Sequence, residues 1–293
     1  GRLEFIIASH IKIHPNARLN YQKLTLGPDP RKIAAASEKL PLGYERKEDY
    51  YVDKLTEGIA KIGAAFHPHE VIIRFSDFKT NEYRTLLGGE LYEPQEENPM
   101  LGFRGASRYY DPRFKKAFAL ECKALKRVRK DMGLMNVVPM IPFCRTPEEG
   151  KKVLQVMEEN GLSRDIDKEL KIYVMCEIPS NILLADEFLK IFDGMSIGSN
   201  DLTQLVLGLD RDSGVGVGIA NENNPSVKKM IAEVIKKCLE KGKYIGICGQ
   251  APSDYPAFAE FLVQEGIESI SLNPDSVIPM IPKIKAAEER ISR

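Results

Sequence analysis

The stretch Ser196-Ile-Gly-Ser-Asn-Asp-Leu-Thr-Gln-Leu-Val-Leu-Gly-Leu-Asp-Arg211 passes from an apolar run through a polar pair into a segment that can form a helix. Its apolar start, together with Gly194 and Met195, predicts a short buried strand. Asn200 and Asp201 follow this strand directly, which places them at the open carboxyl end that functional residues occupy in parallel α/β folds. The stretch therefore predicts an α/β fold with a functional acid at a strand end.

A second strand with the same design lies upstream. Lys171–Ile178 is mostly apolar up to Glu177, and Pro179 follows its end. Two carboxylates at the ends of consecutive parallel strands, Glu177 and Asp201, can share one hard cation, and an open face suits Mg²⁺, which keeps water and substrate oxygens as ligands. A pair of salt-bridging or helix-N-terminal acids would have the same spacing, but the strand-end placement favours the metal.

The rest of the chain alternates strands with helix-forming segments. Strands are predicted at Gly1–Ile7 (a strand tail), Glu70–Phe75, Met100–Gly105, Val137–Phe143, Lys171–Ile178, Gly194–Gly198, Lys243–Cys248 and Ser269–Leu272. Helices are predicted at Glu48–Phe66, Pro112–Gly133, Thr146–Gly161, Ser180–Phe192, Pro225–Gly242 and Asp254–Gly266, with a last helix from about Pro282. Eight such strands predict a (β/α)8 TIM-type barrel with a truncated first strand, formed by residues 1–293 as a single domain. A doubly wound sheet would need a glycine-rich phosphate turn after the first strand, and the sequence has none there.

The composition excludes several classes of partner. The chain carries 42 basic and 42 acidic residues, so no net charge attracts nucleic acid or a membrane surface. No apolar run approaches the roughly 20 residues of a membrane-spanning helix. Five cysteines without a Cys-x-x-Cys pair indicate reduced thiols and a cytoplasmic location. The chain starts without Met and inside a strand pattern, so we expect a piece of a longer protein.

Arginines stand at the ends of three successive predicted strands, at Arg2, Arg74 and Arg104. A guanidinium group binds phosphate or carboxylate as a fork and does not lose its charge. The three arginines predict an anion-binding wall. Each could instead pair with a neighbouring acid, as Arg74 with Asp77 or Arg104 with Glu97.

Cys248 ends another predicted strand, in the run Gly246-Ile-Cys-Gly-Gln250. A thiol at a strand end, followed by Gly, is open to the mouth of a barrel and can give or take a proton. The other four cysteines fall on helix or strand faces, where they predict apolar filling. The glycine-rich run Asp210–Gly218 predicts a mobile loop over the mouth, and Arg211 within it could complete the ring of arginines.

Taken together, these residues resemble the phosphoenolpyruvate-utilising enzymes over nearly the whole chain. The blocks that carry the resemblance are Arg2-Leu-Glu-Phe-Ile-Ile7, His14-Pro15, Arg74-Phe-Ser-Asp-Phe-Lys-Thr-Asn-Glu-Tyr83, Glu96-Glu-Asn-Pro-Met-Leu-Gly-Phe-Arg-Gly105, Pro139-Met-Ile-Pro142, Met175-Cys-Glu-Ile-Pro179, Ser196–Arg211, Gly246-Ile-Cys-Gly-Gln250 and Ser271-Leu-Asn-Pro274. The run Ser76–Tyr83 is similar to the branch that makes phosphoenolpyruvate from pyruvate, ATP and water.

The resemblance implies a (β/α)8 domain that binds pyruvate or phosphoenolpyruvate with Mg²⁺. It implies that Glu177 and Asp201 hold the metal and that Cys248 exchanges the proton of the pyruvate methyl group. Substrate binding is implied for Arg2, Arg74, Glu177, Gly198, Ser199, Asn200 and Asp201, and contact with the moving phosphoryl group for Arg104 and Arg211.

Family members also carry a phosphohistidine domain and an ATP-binding domain, which we expect as partners within the same longer chain. The sequence contains neither a Thr/Ser-His-Ala turn nor an ATP-binding segment, so the chain alone is not expected to complete the ATP-dependent reaction. A homo-oligomer is also expected.

One alternative is a free-standing Mg²⁺-enolate barrel of the lyase or aldolase type. Another is a mainly structural oligomerisation domain, which would have no need of a ring of Arg, Glu, Asp and Cys.

Overall fold

The computed structural model describes residues 1–20, 43–209 and 221–291. The chain forms two compact units, Gly1–Pro142 with Glu148–Ile172 (unit 1) and Phe143–Pro147 with Tyr173–Arg293 (unit 2). The single domain expected for residues 1–293 stays a prediction.

Parallel strands alternate with helices, as the sequence predicted. The described residues form six strands: β1 (Val71–Arg74), β2 (Val137–Ile141), β3 (Tyr173–Cys176), β4 (Gly194–Ile197), β5 (Tyr244–Ile247) and β6 (Ser269–Ile270). In unit 1, β1 pairs with β2; in unit 2, β3 pairs with β4, β4 with β5 and β5 with β6, all in parallel. The α/β class and the β/α alternation of a TIM-type fold are therefore confirmed.

Helices follow or precede each of these strands. Those of unit 1 are Leu3–Ile6, Pro15–Leu19, Lys47–Phe66, Thr80–Arg84, Ala106–Tyr110, Lys115–Lys126 and most of Pro147–Glu159, with π-helical turns at Ile7–Ile11 and Arg127–Asp131 and a 3-10 turn at Gly89–Leu91. Those of unit 2 are Pro179–Leu183, Ala185–Ile191, Ser199–Leu207, Pro225–Glu240, Ala251–Asp254, Pro256–Glu265 and Pro274–Ile291. Several of these helices have a proline in the first turn. Backbone N–H groups have no intrahelical acceptor there, so the lack of an N–H in proline costs no hydrogen bond.

The strands consist mostly of apolar residues, and they are buried. All five residues of β2 and all four residues of both β3 and β4 are buried, so these strands show the continuous apolar runs of a covered parallel sheet. In unit 1, Leu55 and Ile59 of helix Lys47–Phe66 are fully buried, as are Phe118 and Leu125 of helix Lys115–Lys126, and the two helices pack together.

The first predicted strand is reduced to Arg2. Arg2 forms a parallel bridge with Arg74, and the Gly1 amino group donates to the Ile72 carbonyl at 2.7 Å. The prediction of a strand tail up to Ile7 is wrong beyond this bridge, because a helix begins at Leu3. Leu3, Ile7 and the next residue four positions on, Ile11, are all fully buried, and this spacing is that of a helix face.

The predicted strand Met100–Gly105 is also wrong, because this segment forms turns. The Glu96 carboxylate accepts the Phe103 N–H at 2.9 Å. A Cβ atom on Gly102 would come 2.2 Å from a Glu96 carboxylate oxygen. The segment therefore wraps around Glu96, and the Phe103 N–H is used locally instead of in a sheet.

The last helix begins earlier than predicted, at Pro274, and contains both Pro279 and Pro282. Each of these prolines removes one helical N–H donor. Met280 and Ala287, seven residues apart on one face, are buried and anchor the helix.

Among the described residues, no helix combines the length and the apolar character that crossing a bilayer requires.

Candidate metal and substrate site

Glu177 follows β3 and is only 1% exposed. Its Oε1 accepts the Phe143 N–H at 2.7 Å. Asn181, in the next helix, accepts the Glu177 N–H at 3.2 Å and donates to the Cys144 carbonyl at 2.7 Å. These backbone contacts hold the Glu177 carboxylate in one direction at the end of its strand.

Asp201 lies in the first turn of helix Ser199–Leu207, directly after β4. One of its carboxylate oxygens lies within 4.8 Å of a Glu177 carboxylate oxygen. Gly198 makes this approach feasible, because a Cβ atom there would come 2.6 Å from Glu177 Oε2. Two carboxylates this close repel each other unless a proton or a cation lies between them.

Oxygen-only donors of this kind suit a hard divalent cation such as Mg²⁺ or Ca²⁺. The crowding of the two carboxylates and the side-chain-free position at Gly198 fit such an ion. Glu177 and Asp201 can therefore hold a metal ion.

Ser199 and Asn200 tie the start of the same helix to the end of β5. The Asn200 Oδ1 accepts the Gln250 N–H at 3.1 Å, and the Ser199 hydroxyl donates to Glu222. A Cβ atom on Gly249 would lie 1.7 Å from the Ser199 hydroxyl oxygen. Gly249 is thus needed for the chain after β5 to pass next to Ser199.

Cys248 directly follows β5, and its N–H donates to the Ile197 carbonyl at 3.0 Å. Its Sγ lies 3.7 Å from the Met175 sulfur. Cys248 is exposed, whereas the other four cysteines are buried. Burial raises the pKa of the Cys238 thiol to about 12 and the pKa values of Cys122 and Cys176 well above their usual range, so Cys248 is the thiol that solvent and substrates can reach.

In unit 1, Arg2 and Arg74 lie side by side through their parallel bridge. The Arg2 side chain is exposed and its guanidinium lies 4.1 Å from the centre of the Phe5 ring. The Arg74 guanidinium contacts the Glu4 carboxylate and lies 3.7 Å from Asp77 Oδ2.

Arg104 is mostly buried and forms a two-pronged ion pair with Asp77, with Nε to Oδ1 and Nη2 to Oδ2 both at 2.9 Å. It also donates to the sulfur of Met100 at 2.9 Å. Asp77 thus holds Arg104 and lies beside Arg74, so one acid sets the positions of two of the predicted anion-binding arginines. Of the two alternative pairings, that of Arg74 with Asp77 is present as an ion pair, whereas Arg104 pairs with Asp77 and not with Glu97.

Within each unit the structure brings predicted site residues together. Unit 2 groups Glu177, Gly198, Ser199, Asn200, Asp201 and Cys248, and unit 1 groups Arg2, Arg74 and Arg104. Arg211 and the predicted loop Asp210–Gly218 lie outside the described residues.

Sequence reasoning missed three supporting residues: Glu222, Met175 and Gly249. Gly249 had a local signal, since it follows a strand-end cysteine. Glu222 had none, because its bond to Ser199 joins residues 23 positions apart.

Comparison with known proteins identifies the family of the chain. A family model described as the PEP-binding domain of PEP-utilising enzymes matches residues 38–290. Phosphoenolpyruvate synthases from Synechocystis sp. and Escherichia coli are 57% and 54% identical to the chain over 99% and 95% of its length. The chain spans only 35% and 34% of these two relatives, about a third of each.

A solved HpcH/HpaI aldolase/citrate lyase family protein from Burkholderia cenocepacia has a TM-score of 0.47 and 14% identity, covering 88% of this chain and 90% of that one. The resemblance seen in the sequence is confirmed by the family match. The chain belongs to the PEP-utilising enzyme family, as its PEP-binding domain.

Proposed function

We propose that this chain is the pyruvate- and phosphoenolpyruvate-binding catalytic domain of a phosphoenolpyruvate synthase. The overall reaction would turn ATP, pyruvate and water into AMP, phosphoenolpyruvate and phosphate. The observation that carries the proposal is the pair Glu177 and Asp201, whose carboxylate oxygens lie within 4.8 Å of each other at consecutive strand ends. The relatives that bear this name are about three times as long, so the phosphohistidine and ATP-binding domains are proposed as partners within a longer chain.

The metal proposed for Glu177 and Asp201 is Mg²⁺. When bound, it would supply Lewis-acid stabilisation for the negative charge that grows on the keto oxygen of pyruvate. The chain's own part is to hold the two carboxylates in place, through the Phe143 N–H and the glycine at 198.

Cys248 is proposed to exchange the proton. In the direction of phosphoenolpyruvate synthesis, its thiolate takes a proton from the pyruvate methyl group. The resulting enolate oxygen then bonds to the phosphoryl group as the N–P bond of the phosphohistidine on the proposed partner domain breaks. Its exposure distinguishes it from the four buried cysteines. Asn200 supports binding, because its Oδ1 is used by the Gln250 N–H and its NH₂ group can donate to a substrate carboxylate. Gly198 and Ser199 are proposed to contact the substrate through the same turn.

The arginines are proposed to neutralise anionic oxygens, Arg2 and Arg74 those of the substrate and Arg104 and Arg211 those of the moving phosphoryl group. A phosphoryl group in transfer is loosely bonded and carries spread negative charge, so fixed guanidinium groups stabilise it. The Asp77 fork fixes Arg104 in advance.

The test is calorimetric titration with oxalate, a stable mimic of the pyruvate enolate, in the presence and absence of Mg²⁺. We expect binding that requires Mg²⁺ and that is lost in Glu177→Gln, which removes the charge and keeps the size. The matched control is Glu260→Gln, which alters a carboxylate of the same unit that pairs with Arg290 on the last helix. Mg²⁺-independent binding, or equal binding by Glu177→Gln and wild type, would contradict the proposal.

The homo-oligomer and the cytoplasmic location stay predictions. Light scattering of the purified chain would give its mass in solution and so test the first of these.

A further inference from the structure

The segment Arg74-Phe-Ser-Asp77 leaves β1 carrying Arg74, one of the predicted anion-binding arginines, and Asp77, the partner of Arg104. Ser76, between them, is 1% exposed. All three polar groups of Ser76 are bonded. Its N–H donates to Glu121 Oε2 at 3.1 Å, its hydroxyl bonds to Glu121 Oε1 and to the Tyr83 hydroxyl at 2.8 Å, and its carbonyl accepts from the Tyr109 hydroxyl at 2.7 Å. The backbone between Arg74 and Asp77 is therefore held from both sides.

Glu121 lies on helix Lys115–Lys126 and is fully buried. Among the described residues, both of its carboxylate oxygens bond to Ser76 and to no cationic side chain. A buried acid without a cationic partner costs folding free energy, and an apolar residue would fill the same place in the core at less cost. The position therefore has a use other than packing.

We infer that Glu121 is a positioning residue for the proposed reaction, which fixes Ser76 and through it the placement of Arg74 and of the Asp77–Arg104 ion pair. The inference rests on the proposed function of these arginines. Asp77 follows Ser76 directly and forms ion pairs with both guanidinium groups, so a shift of the Ser76 backbone would move both arginines relative to the oxygens they bind.

The chemistry of the side chain predicts which substitutions are tolerated. Glutamine at 121 can accept the Ser76 N–H with its oxygen and donate to the Ser76 hydroxyl oxygen, and that hydroxyl can then donate to Tyr83. Alanine at 121 removes both bonds and leaves the Ser76 N–H buried without a partner, which is the costly outcome.

The experiment compares Glu121→Gln, Glu121→Ala and Leu125→Ala, all on one helix, in the 293-residue chain. Leu125 is fully buried, and its truncation destabilises the core while both Ser76 bonds stay. The first readout is amide hydrogen exchange in the peptide that covers residues 74–79, and the second is the dissociation constant for oxalate with Mg²⁺. Ser76→Ala, which removes the hydroxyl bond to Glu121, serves if Glu121→Ala does not fold.

We expect Glu121→Ala, or Ser76→Ala in its place, to speed exchange in residues 74–79 and to weaken oxalate binding by about tenfold or more. Glu121→Gln should retain both properties, and Leu125→Ala should lower thermal stability with little effect on either. Unchanged exchange in Glu121→Ala, or an equal loss of oxalate affinity in Leu125→Ala, would overturn the inference. A wild-type chain that binds no oxalate would contradict the proposed function instead, and the exchange data would still decide whether Glu121 fixes the segment.

Discussion

At the scale of single residues, a buried polar cluster in unit 1 combines His14, Glu93 and Arg108. The two guanidinium nitrogens of Arg108 bond to the two Glu93 oxygens at 2.6 and 2.8 Å, and His14 Nε2 bonds to Glu93 at 2.8 Å. Burial lowers the pKa of His14, against the opposing effect of Glu93. Burial alone would raise the pKa of Glu93, but the bonds from His14 and Arg108 lower it.

Arg108→Ala is therefore expected to destabilise the chain by about 3–5 kcal/mol, because it leaves the Glu93 carboxylate buried with only a neutral histidine. Denaturation by urea, followed by circular dichroism, measures this loss. Arg46→Ala removes a solvent-exposed arginine paired with Glu48 and is the control, from which we expect little change. Equal losses of unfolding free energy in the two variants would show that the buried Arg108–Glu93 pair stabilises the chain no more than the exposed pair does.

Glu121 also gives a pH-dependent prediction. Burial raises its pKa from 4.5 to about 7, against the opposing bonds from Ser76. The folded chain therefore binds this proton more tightly than the unfolded chain, so the contribution of Glu121 to stability falls as pH rises from about 4.5 to about 7. The full effect is on the order of 3 kcal/mol.

In Glu121→Gln this part of the pH profile should disappear. The measurement is the free energy of unfolding of wild type and variant at half-unit steps of pH, taken as a difference so that titrations common to both chains cancel. Parallel profiles between pH 4.5 and 7 would mean that Glu121 titrates alike in the folded and unfolded states.

At the scale of elements, the turn from β4 into helix Ser199–Leu207 determines whether Glu177 and Asp201 can approach. In Gly198→Ala the new methyl group would lie 2.6 Å from Glu177 Oε2, so the carboxylate or the helix must shift. We expect binding of Mn²⁺, used as a spectroscopic substitute for Mg²⁺, to weaken by about tenfold or more.

The control for this prediction is Gly208→Ala, at the other end of the same helix. Gly208 has a φ angle of +62° and open space around an added Cβ atom, so its substitution costs about 1–2 kcal/mol of backbone strain without touching Glu177. Electron paramagnetic resonance of free Mn²⁺ gives the affinity of each variant. If Gly208→Ala weakens metal binding as much as Gly198→Ala, general destabilisation is the cause.

Elements buried on all sides were the ones that sequence reasoning predicted well. The runs at β2, β3, β4 and β5 are apolar and short, with turn residues after them, and each was predicted within a few residues of its observed bounds. Met100–Gly105 was wrong because a short apolar run fits a strand and a wrapped turn equally well. The Glu96 carboxylate decides between them by accepting the Phe103 N–H.

At the scale of the whole molecule, the chain by itself is expected to form no AMP from ATP and pyruvate with Mg²⁺. The proposed phosphoryl donor is a phosphohistidine on another domain, and His14 within this chain is fully buried, which excludes it as a carrier. Chromatographic detection of AMP measures the outcome, with Escherichia coli phosphoenolpyruvate synthase as the positive control. Production of AMP by the 293-residue chain alone would contradict the proposal that the phosphoryl donor lies on another domain.

The sequence by itself determined the α/β class, the strand ends that carry Glu177, Asp201 and Cys248, and the family. These features depend on short runs of residue types, which can be recognised in the sequence without knowledge of the fold. Only the tertiary structure decided that Asp77 pairs with both Arg74 and Arg104 and that Glu121 holds Ser76. The Ser76–Glu121 bond joins residues 45 positions apart, and which buried polar groups meet across such a separation depends on how the helices pack on the strands. No periodicity or spacing in the sequence records that choice.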